Sequence, residues 1–473
     1  MGIIEELRGL REGMEVIGER ERLREYISDS AKVKVFPHCA VFPQNAEDVV
    51  KIVKWANEKG VPLIPVSSGP PRVRGDSTPE IGGVVVDMRK MKKILRIDRR
   101  NRVCVVEAGV TFEELLPALQ KEGLRLNMPV SPRKNKSVLA CFLEREPVMM
   151  PRYHWDASDP LLCLEVVFGT GDLFRTGEAS GPFGLEEQWK IGGAQKFPLG
   201  PHQVDYFRIV QGAQGTIGIV TWASIKCEIL PEVREFFFLT SDELKENILN
   251  FIYRLLRLDL VDELFILNDK NAEALYFDGI LEGMRVPRWL ICMGIGGAGK
   301  FKEERMNYKI SDLMDVAQSF GVKLSRSAGD IKGPEFCEKI YSPSQPYWKF
   351  RKGNFREIFF ITTLNRTPFF IREFLNFLSE EGYRGEVGIY IQPLVQGTSC
   401  HLEFTLYSQR DDLNGIFEKG SRFLFEKGAF FSRPYGIWSK LVYSRDSVFT
   451  ESLKKVKRIF DPRGIMNPGK LCF

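Results

Sequence analysis

Three places in this 473-residue chain gather side chains with chemistry to offer. Residues 66–71 read Val-Ser-Ser-Gly-Pro-Pro and follow the apolar run Val61 to Ile64. A Ser-Gly turn after a strand has the form of a phosphate cradle, in which free backbone N–H groups point at oxygen. Pro70 and Pro71 have no N–H to point. Ser67, Ser68 and Gly69 still offer three, and the two serines add hydroxyls. Gly69 is free to take a positive φ and let the backbone approach a phosphate. In the second half, His401 and Glu403 alternate along a strand-like run and share one face. That histidine reads equally as a base or hydrogen-bonder at a site and as a buried, paired strand residue. Arg433, in Ser-Arg-Pro-Tyr-Gly-Ile-Trp, carries the fork that clamps a carboxylate bidentately, and Arg351 is a second, weaker candidate.

Composition narrows the chemistry further. The nine cysteines are scattered, with no two within four residues, so there is no zinc or iron–sulfur signature. Several sit in apolar strand patterns as small core residues, which points to a reducing, cytoplasmic setting. Only four histidines exist, at 38, 154, 202 and 401. The charge of +5 is finely mixed along the chain, without the long basic run of a nucleic-acid binder. No apolar run approaches the roughly 18–20 residues of a membrane span. The charged, amphipathic N-terminus is not a signal peptide. Gly294, Gly296 and Gly299 satisfy G-x-G-x-x-G after a strand. The next helix begins only near Glu303, however, and the following strand ends in Ser and Arg rather than an acid, so a loop is the better reading than a nicotinamide site.

The elements that must hold these groups are legible from their ends. Asn45 caps a helix over 46–59, with acidic Glu47 and Asp48 in its first turn, and Gly60 stops it. Thr111 and Glu114 form a capping box for the next helix. Gly169 to Asp172 is a hairpin turn between two strands. Gly212, Gly215 and Gly218 read as punctuation inside a strand, a sign of bulges or of another backbone or ligand close by. From about Val233, short aromatic strands alternate with helical runs, as in an antiparallel sheet covered by helices. The length calls for two domains, and strands with short crossovers make the class α+β rather than a regular βαβ array.

Five stretches, in order, carry a family resemblance: 42–69, 82–115, 159–177, 211–231 and 460–473. They resemble the flavin-binding domain and C-terminal tail of the vanillyl-alcohol oxidase family. That family is also named after p-cresol methylhydroxylase, and it includes D-lactate dehydrogenases, glycolate oxidase subunits and alkyl-dihydroxyacetonephosphate synthase. The resemblance implies a two-subdomain FAD-binding domain over 33–232, preceded by a helical segment, 1–32. A cap domain over 233–445 would supply a substrate pocket at the domain interface, and 446–473 would return to the FAD domain.

It also implies site residues, position by position. Val66, Ser67, Ser68, Gly69, Pro70 and Pro71 fall in the pyrophosphate loop. Pro129, Val130, Ser131 and Arg133 fall in the loop passing the flavin, where Arg133 either adds charge to the pyrophosphate or is a solvated loop arginine. Ser137, Val138, Ala140 and Cys141 fall where relatives have Ser/Thr-x-Gly-Gly, so the close backbone approach is lost there. Asp159 precedes the third strand, and Gly215, Ile219 and Val220 face the cofactor. Tyr153 and His154 fall where the chain passes the flavin, a purely structural role being the favoured reading of the two. Relatives often have a histidine bonded covalently to the flavin, or a threonine, where Pro70 stands, so FAD is expected to be non-covalent.

The lactate and glycolate branch carries His-x-Gly-Asp-Gly-Asn-x-His in the cap; only His401 survives here, so no catalytic metal is expected. The implied activity is hydride transfer from a hydroxyl-bearing carbon to FAD, with a 2-hydroxy acid or an aromatic alcohol as substrate and His401 and Arg433 as catalytic candidates. An electron-relaying subunit and a redox-neutral flavin transferase are the alternatives. A small-molecule substrate, a partner electron carrier and self-association are all compatible with the chain.

Overall fold

The computed structural model describes residues 2–27, 35–73, 78–151, 160–200, 205–277, 285–408 and 413–473. The predicted helix ends are where the local chemistry puts them. Asn45 Oδ1 accepts from the Asp48 amide at 2.9 Å, and Gly60 ends the helix Ala46–Lys59 at φ 68. Thr111 and Glu114 close their reciprocal box at the helix Phe112–Lys121. The helix Ala46–Lys59 is the crossover that lets strands Cys39–Phe42 and Leu63–Val66 lie parallel to Val84–Asp87 between them. The short strand Glu15–Ile17 adds an antiparallel edge to this first sheet. Its inner strands are apolar nearly throughout because both faces are covered.

The second sheet is antiparallel, in the order Ile94–Asp98, Val103–Glu107, Gly218–Ile229, Leu161–Phe168 and Leu173–Arg175. Strand Leu124–Leu126 pairs with the far end of Gly218–Ile229. One expectation is corrected here. Gly212 and Gly215 lie outside this strand, in the turn that joins the helix Tyr206–Val210 to it, at φ 76 and 70. Only Gly218 belongs to the strand, as its first residue. The left-handed backbone of the turn is what demands glycine.

The cap is a seven-stranded antiparallel sheet, ordered Leu324–Ser325, Val233–Ser241, Trp289–Gly297, Glu263–Asn268, Glu386–Leu394, Ser399–Ser408 and Asn354–Thr362. Alternation along each strand divides it between two cores. Phe236 and Phe238 join the core shared with the first half, whereas Phe237 and Leu239 pack under the cap helices. The expected loop is corrected in part: Gly294 to Gly297 of the G-x-G-x-x-G run are the paired end of the strand Trp289–Gly297, only residues 298–299 lie beyond it, and the next helix starts at Lys302.

The C-terminal segment closes the structure. The Leu63 amide donates to Ile465 O and the Asn467 amide to Leu63 O, each at 2.8 Å, so the tail adds to the edge of the first sheet. Asp461, 1% exposed, accepts from the Ile465 and Met466 amides at 3.0 and 2.9 Å and from Lys457 Nζ at 2.7 Å. Lys457 in turn donates to Thr216 O, and Asn467 Nδ2 donates to Gln214 O, both in the glycine turn. Replacing Asp461 by Ala leaves a buried ammonium and two buried amides without their acceptor. A loss of about 3 kcal/mol or more is expected, read as a lowered melting temperature in calorimetry; an unchanged melting temperature would contradict the role given to the tail.

Candidate functional site

The turn after strand Leu63–Val66 is held from behind by the segment 133–137. The Gly69 amide donates to Asn135 O at 2.9 Å, and Asn135 Nδ2 donates to Pro70 O. Arg133 donates to Gly69 O and Pro71 O. The Ser137 amide donates to Ser68 Oγ at 3.0 Å, while the Ser137 hydroxyl caps the helix Val138–Leu143 and donates to Ala108 O. Two expectations change as a result. Gly69 does not take a positive φ; glycine is needed there because a Cβ would lie 2.6 Å from Asn135 Nδ2. Its N–H is already committed to Asn135, so it is not a phosphate donor.

In front of this turn runs a partly open cleft lined by both the first half of the chain and the cap. Val66, Ser67, Ser68, Pro71 and Arg72 form one wall, and Pro129, Val130 and Arg133 another. Leu139, Ala140, Gly215, Ile219 and Val220 supply a flat, mainly apolar surface. A Cβ on Gly215 would run into the Pro65 ring, so glycine lets the turn and the first sheet meet at the cleft. The cap closes the far end with Tyr347, Glu357, Arg433 and Tyr435.

The cleft thus collects twelve of the sequence-proposed residues: Val66, Ser67, Ser68, Pro71, Pro129, Val130, Arg133, Ala140, Gly215, Ile219, Val220 and Arg433. The others do different work. Gly69 and Pro70, within the loop, are bonded to Asn135 and do not line the cleft. Ser137 is the helix cap, and Val138 and Cys141 are buried in the core, where burial pushes the Cys141 thiol well up. Ser131 stitches its loop to the cap, its amide to Ile340 O and its hydroxyl to Ser342 O. Asp159, Tyr153 and His154 lie outside the described residues.

The cap wall is a charge network set on one sheet face. Cross-strand pairing places Glu357 opposite Thr405, Phe359 opposite Glu403, and Gln392 opposite His401, so all of these stand on the same face. Lys349 Nζ bridges the carboxylates of Glu357 and Glu403. Burial alone would raise Glu403, but Lys349 overrides it and holds the carboxylate well below the usual range. The Arg433 guanidinium, 5% exposed, stacks 4.2 Å over the Phe359 ring. His401 does not reach the cleft: it is 1% exposed, between the rings of Phe359 and Tyr390 at 5.6 and 5.8 Å. Glu403, 3.6 Å from its Nε2, is an electrostatic neighbour rather than a hydrogen-bond partner. Burial lowers the imidazole to about 4, Glu403 opposing and Arg433 reinforcing the shift. His401 is therefore a neutral residue supporting the wall that bears Arg433. Arg351 is also removed from the site, its Nη1 donating to Ala274 O and Leu275 O.

Sequence reasoning missed Arg72, Tyr347, Glu357 and Tyr435. Arg72 had a signal, being the first charged residue after the proline pair. Glu357 had none, because Lys349 and the pairing of strands 354–362 and 399–408 assemble its surroundings from distant segments.

Comparisons with known proteins agree with this geometry. Residues 37–177 match the model of an FAD-binding domain, and residues 437–471 that of the C-terminal domain of FAD-linked oxidases. The chain is 28% identical over 199 residues to glycolate oxidase subunit GlcD of Bacillus subtilis, a match covering 42% of this chain and only 38% of that protein. It is 23% identical over 455 residues to a D-lactate dehydrogenase of Archaeoglobus fulgidus, covering 91% and 90% of the two chains. The structure of p-cresol methylhydroxylase with bound substrate superposes with a TM-score of 0.81 at 18% identity, over 99% of this chain and 96% of that one. The chain has that α+β fold and carries an FAD-binding domain.

The buried histidine has a consequence for pH. His401 takes up a proton near pH 4 in the folded chain, against an ordinary value of 6.5. Between these values the unfolded chain binds more protons, so stability falls as pH drops from 6.5 towards 4. At about 1.4 kcal/mol per unit, the contribution is roughly 3 kcal/mol. In His401→Gln this part of the acid sensitivity should vanish, so the stability difference between wild type and variant narrows as pH falls. Parallel unfolding-versus-pH curves for the two proteins would count against it.

Proposed function

We propose that this chain, in which an FAD-binding domain is joined to the C-terminal domain of FAD-linked oxidases, is an FAD-dependent oxidoreductase. Its substrate is a small organic anion with a hydroxyl-bearing carbon, a 2-hydroxy acid or an aromatic alcohol. The observation that carries the reading is Arg433, a buried guanidinium on the cap wall of a cleft whose other walls come from the FAD-binding half. A guanidinium on an aromatic face in a low-dielectric wall binds a carboxylate or phenolate strongly and fixes its orientation. Tyr347 and Tyr435 line the same cleft and favour a flat substrate. FAD, when bound, supplies the hydride acceptor. The chain supplies placement: Arg433 grips the anion, and the packed cap sheet excludes water. Glu357, on the same wall and held by Lys349, accepts the hydroxyl proton. His401 is a positioning residue beside Phe359.

The cofactor is held without a covalent bond from this loop, because Pro70 occupies the position at issue and proline has no nucleophile. All nine cysteines are free thiols, which supports a reducing, cytoplasmic setting. No helix among the described residues is long and apolar enough to cross a membrane.

Two measurements test the proposal. Anaerobic addition of 2-hydroxy acids and aromatic alcohols should bleach the flavin absorbance for one class. Arg433→Lys, with flavin still bound, should then need roughly ten- to hundred-fold more substrate, since lysine keeps the charge but loses the fork. No bleaching by either class, or unchanged behaviour of the variant, would refute the assignment. Acid precipitation should leave the polypeptide colourless and the flavin in solution; flavin retained on the chain would refute the non-covalent reading.

A further inference from the structure

The loop at 66–72 poses a donor problem. A dinucleotide's pyrophosphate carries two negative charges at neutral pH, and a phosphate loop normally meets them with backbone amides. Here Pro70 and Pro71 have none, and the Gly69 amide is bonded to Asn135 O. Of the loop residues on the cleft wall before Arg72, only Val66, Ser67 and Ser68 have an N–H at all.

Arg72 closes the loop and lines the same cleft. Two of its three nitrogens are anchored, Nη1 donating to Ser68 O at 2.7 Å and Nε to Glu25 O at 3.2 Å. Its guanidinium also lies 5.4 Å from the centre of the Tyr26 ring. The third nitrogen, Nη2, is buried and has no hydrogen-bond partner. The nearby carboxylates are engaged elsewhere: Arg89 pairs with Asp87 at 2.6 Å and with Glu25 at 2.8 Å. Arg72 itself makes no ion pair among the described residues. Asp87 and Glu25 attract the guanidinium from nearby, yet burial still disfavours its charge and its Nη2 stays without an acceptor; a donor so held is matched to an anion that arrives from outside the chain.

We infer that Arg72 is this chain's pyrophosphate ligand, a guanidinium that replaces the backbone donors lost to Pro70 and Pro71. The inference rests on the reading that the cleft holds FAD. Anchoring through Nη1 and Nε fixes the planar fork before the ligand arrives, so little entropy is lost on binding. The proline pair then acts as a spacer that delivers the arginine to the wall. An arginine whose work was only to staple the loop to Tyr26 would affect stability but would not distinguish ligands by their phosphates.

The test uses the full chain freed of flavin. FAD is titrated by fluorescence quenching, and ADP and adenosine are measured as competitors, so that their ratio isolates the pyrophosphate. In the wild type, ADP should displace FAD far better than adenosine. Arg72→Gln keeps an amide to reach Ser68 O but carries no charge. It should weaken FAD roughly ten- to hundred-fold and collapse the ADP-over-adenosine preference, with adenosine affinity unchanged. Arg72→Lys should fall between. A variant that folds and keeps the wild-type preference overturns the inference. If Arg72→Gln does not fold, Arg72→Lys decides by the same ratio; if neither folds, the arginine is a structural staple and the inference fails. A wild type that binds neither FAD nor ADP would instead overturn the FAD reading itself.

Discussion

The hydrogen bond from the Gly69 amide to Asn135 O, with the parallel one from the Ser137 amide to Ser68 Oγ, is the joint on which the cleft depends. It ties the turn at the end of the first sheet to the segment that starts the helix Val138–Leu143. That helix lies against the second sheet's core, so the joint fixes the spacing between the two halves of the flavin-binding domain. The cost is a loop with few amides to spare. The proline pair, Arg133 on the loop carbonyls and Arg72 on the wall follow from that one commitment: the backbone is used for architecture, and side chains must do the ligand's work.

The cap meets the same constraint from the other side. One face of its sheet packs on the first half and the other beneath helices, so any polar group on the inner face must be balanced where it stands. Lys349 between Glu357 and Glu403 is that balance. Across the domain boundary, Arg125 is likewise bonded to Glu263 and to Tyr341. Such buried pairs contribute little net stability against an apolar packing of the same shape, but breaking one member is expensive. They set the position of the cap over the cleft, and therefore the distance from Arg433 to the flavin-binding half. The C-terminal tail completes the enclosure by holding the glycine turn that forms the cleft's third side.

Where a feature depended on neighbours in sequence, it was legible. Asn45, Gly60, Thr111 and Glu114 announce their helix ends because capping is local chemistry. Strand alternation put His401 and Glu403 on one shared face, as the sheet register has them, yet it carries no information on depth, and His401 is buried beside Phe359. Gly212 and Gly215 misled because their spacing suits an interrupted strand as well as a left-handed turn; the helix Tyr206–Val210 just before them decides it. Gly69 needs its missing side chain for lack of space rather than for φ, a distinction that only the position of Asn135 reveals. Glu357 and Tyr347 reach the site through long-range strand pairing and a buried lysine, which leave no trace in any short stretch.

The central claim is that the cleft between the two halves and the cap is built for a dinucleotide flavin. Equilibrium dialysis of the flavin-free chain against an equal mixture of FAD and FMN tests it most directly, since the two differ only by the adenosine phosphate portion that we propose the 66–72 loop and Arg72 hold. The account predicts one FAD bound per chain and almost no FMN. Equal uptake of the two, a preference for FMN, or no flavin bound at all would contradict it.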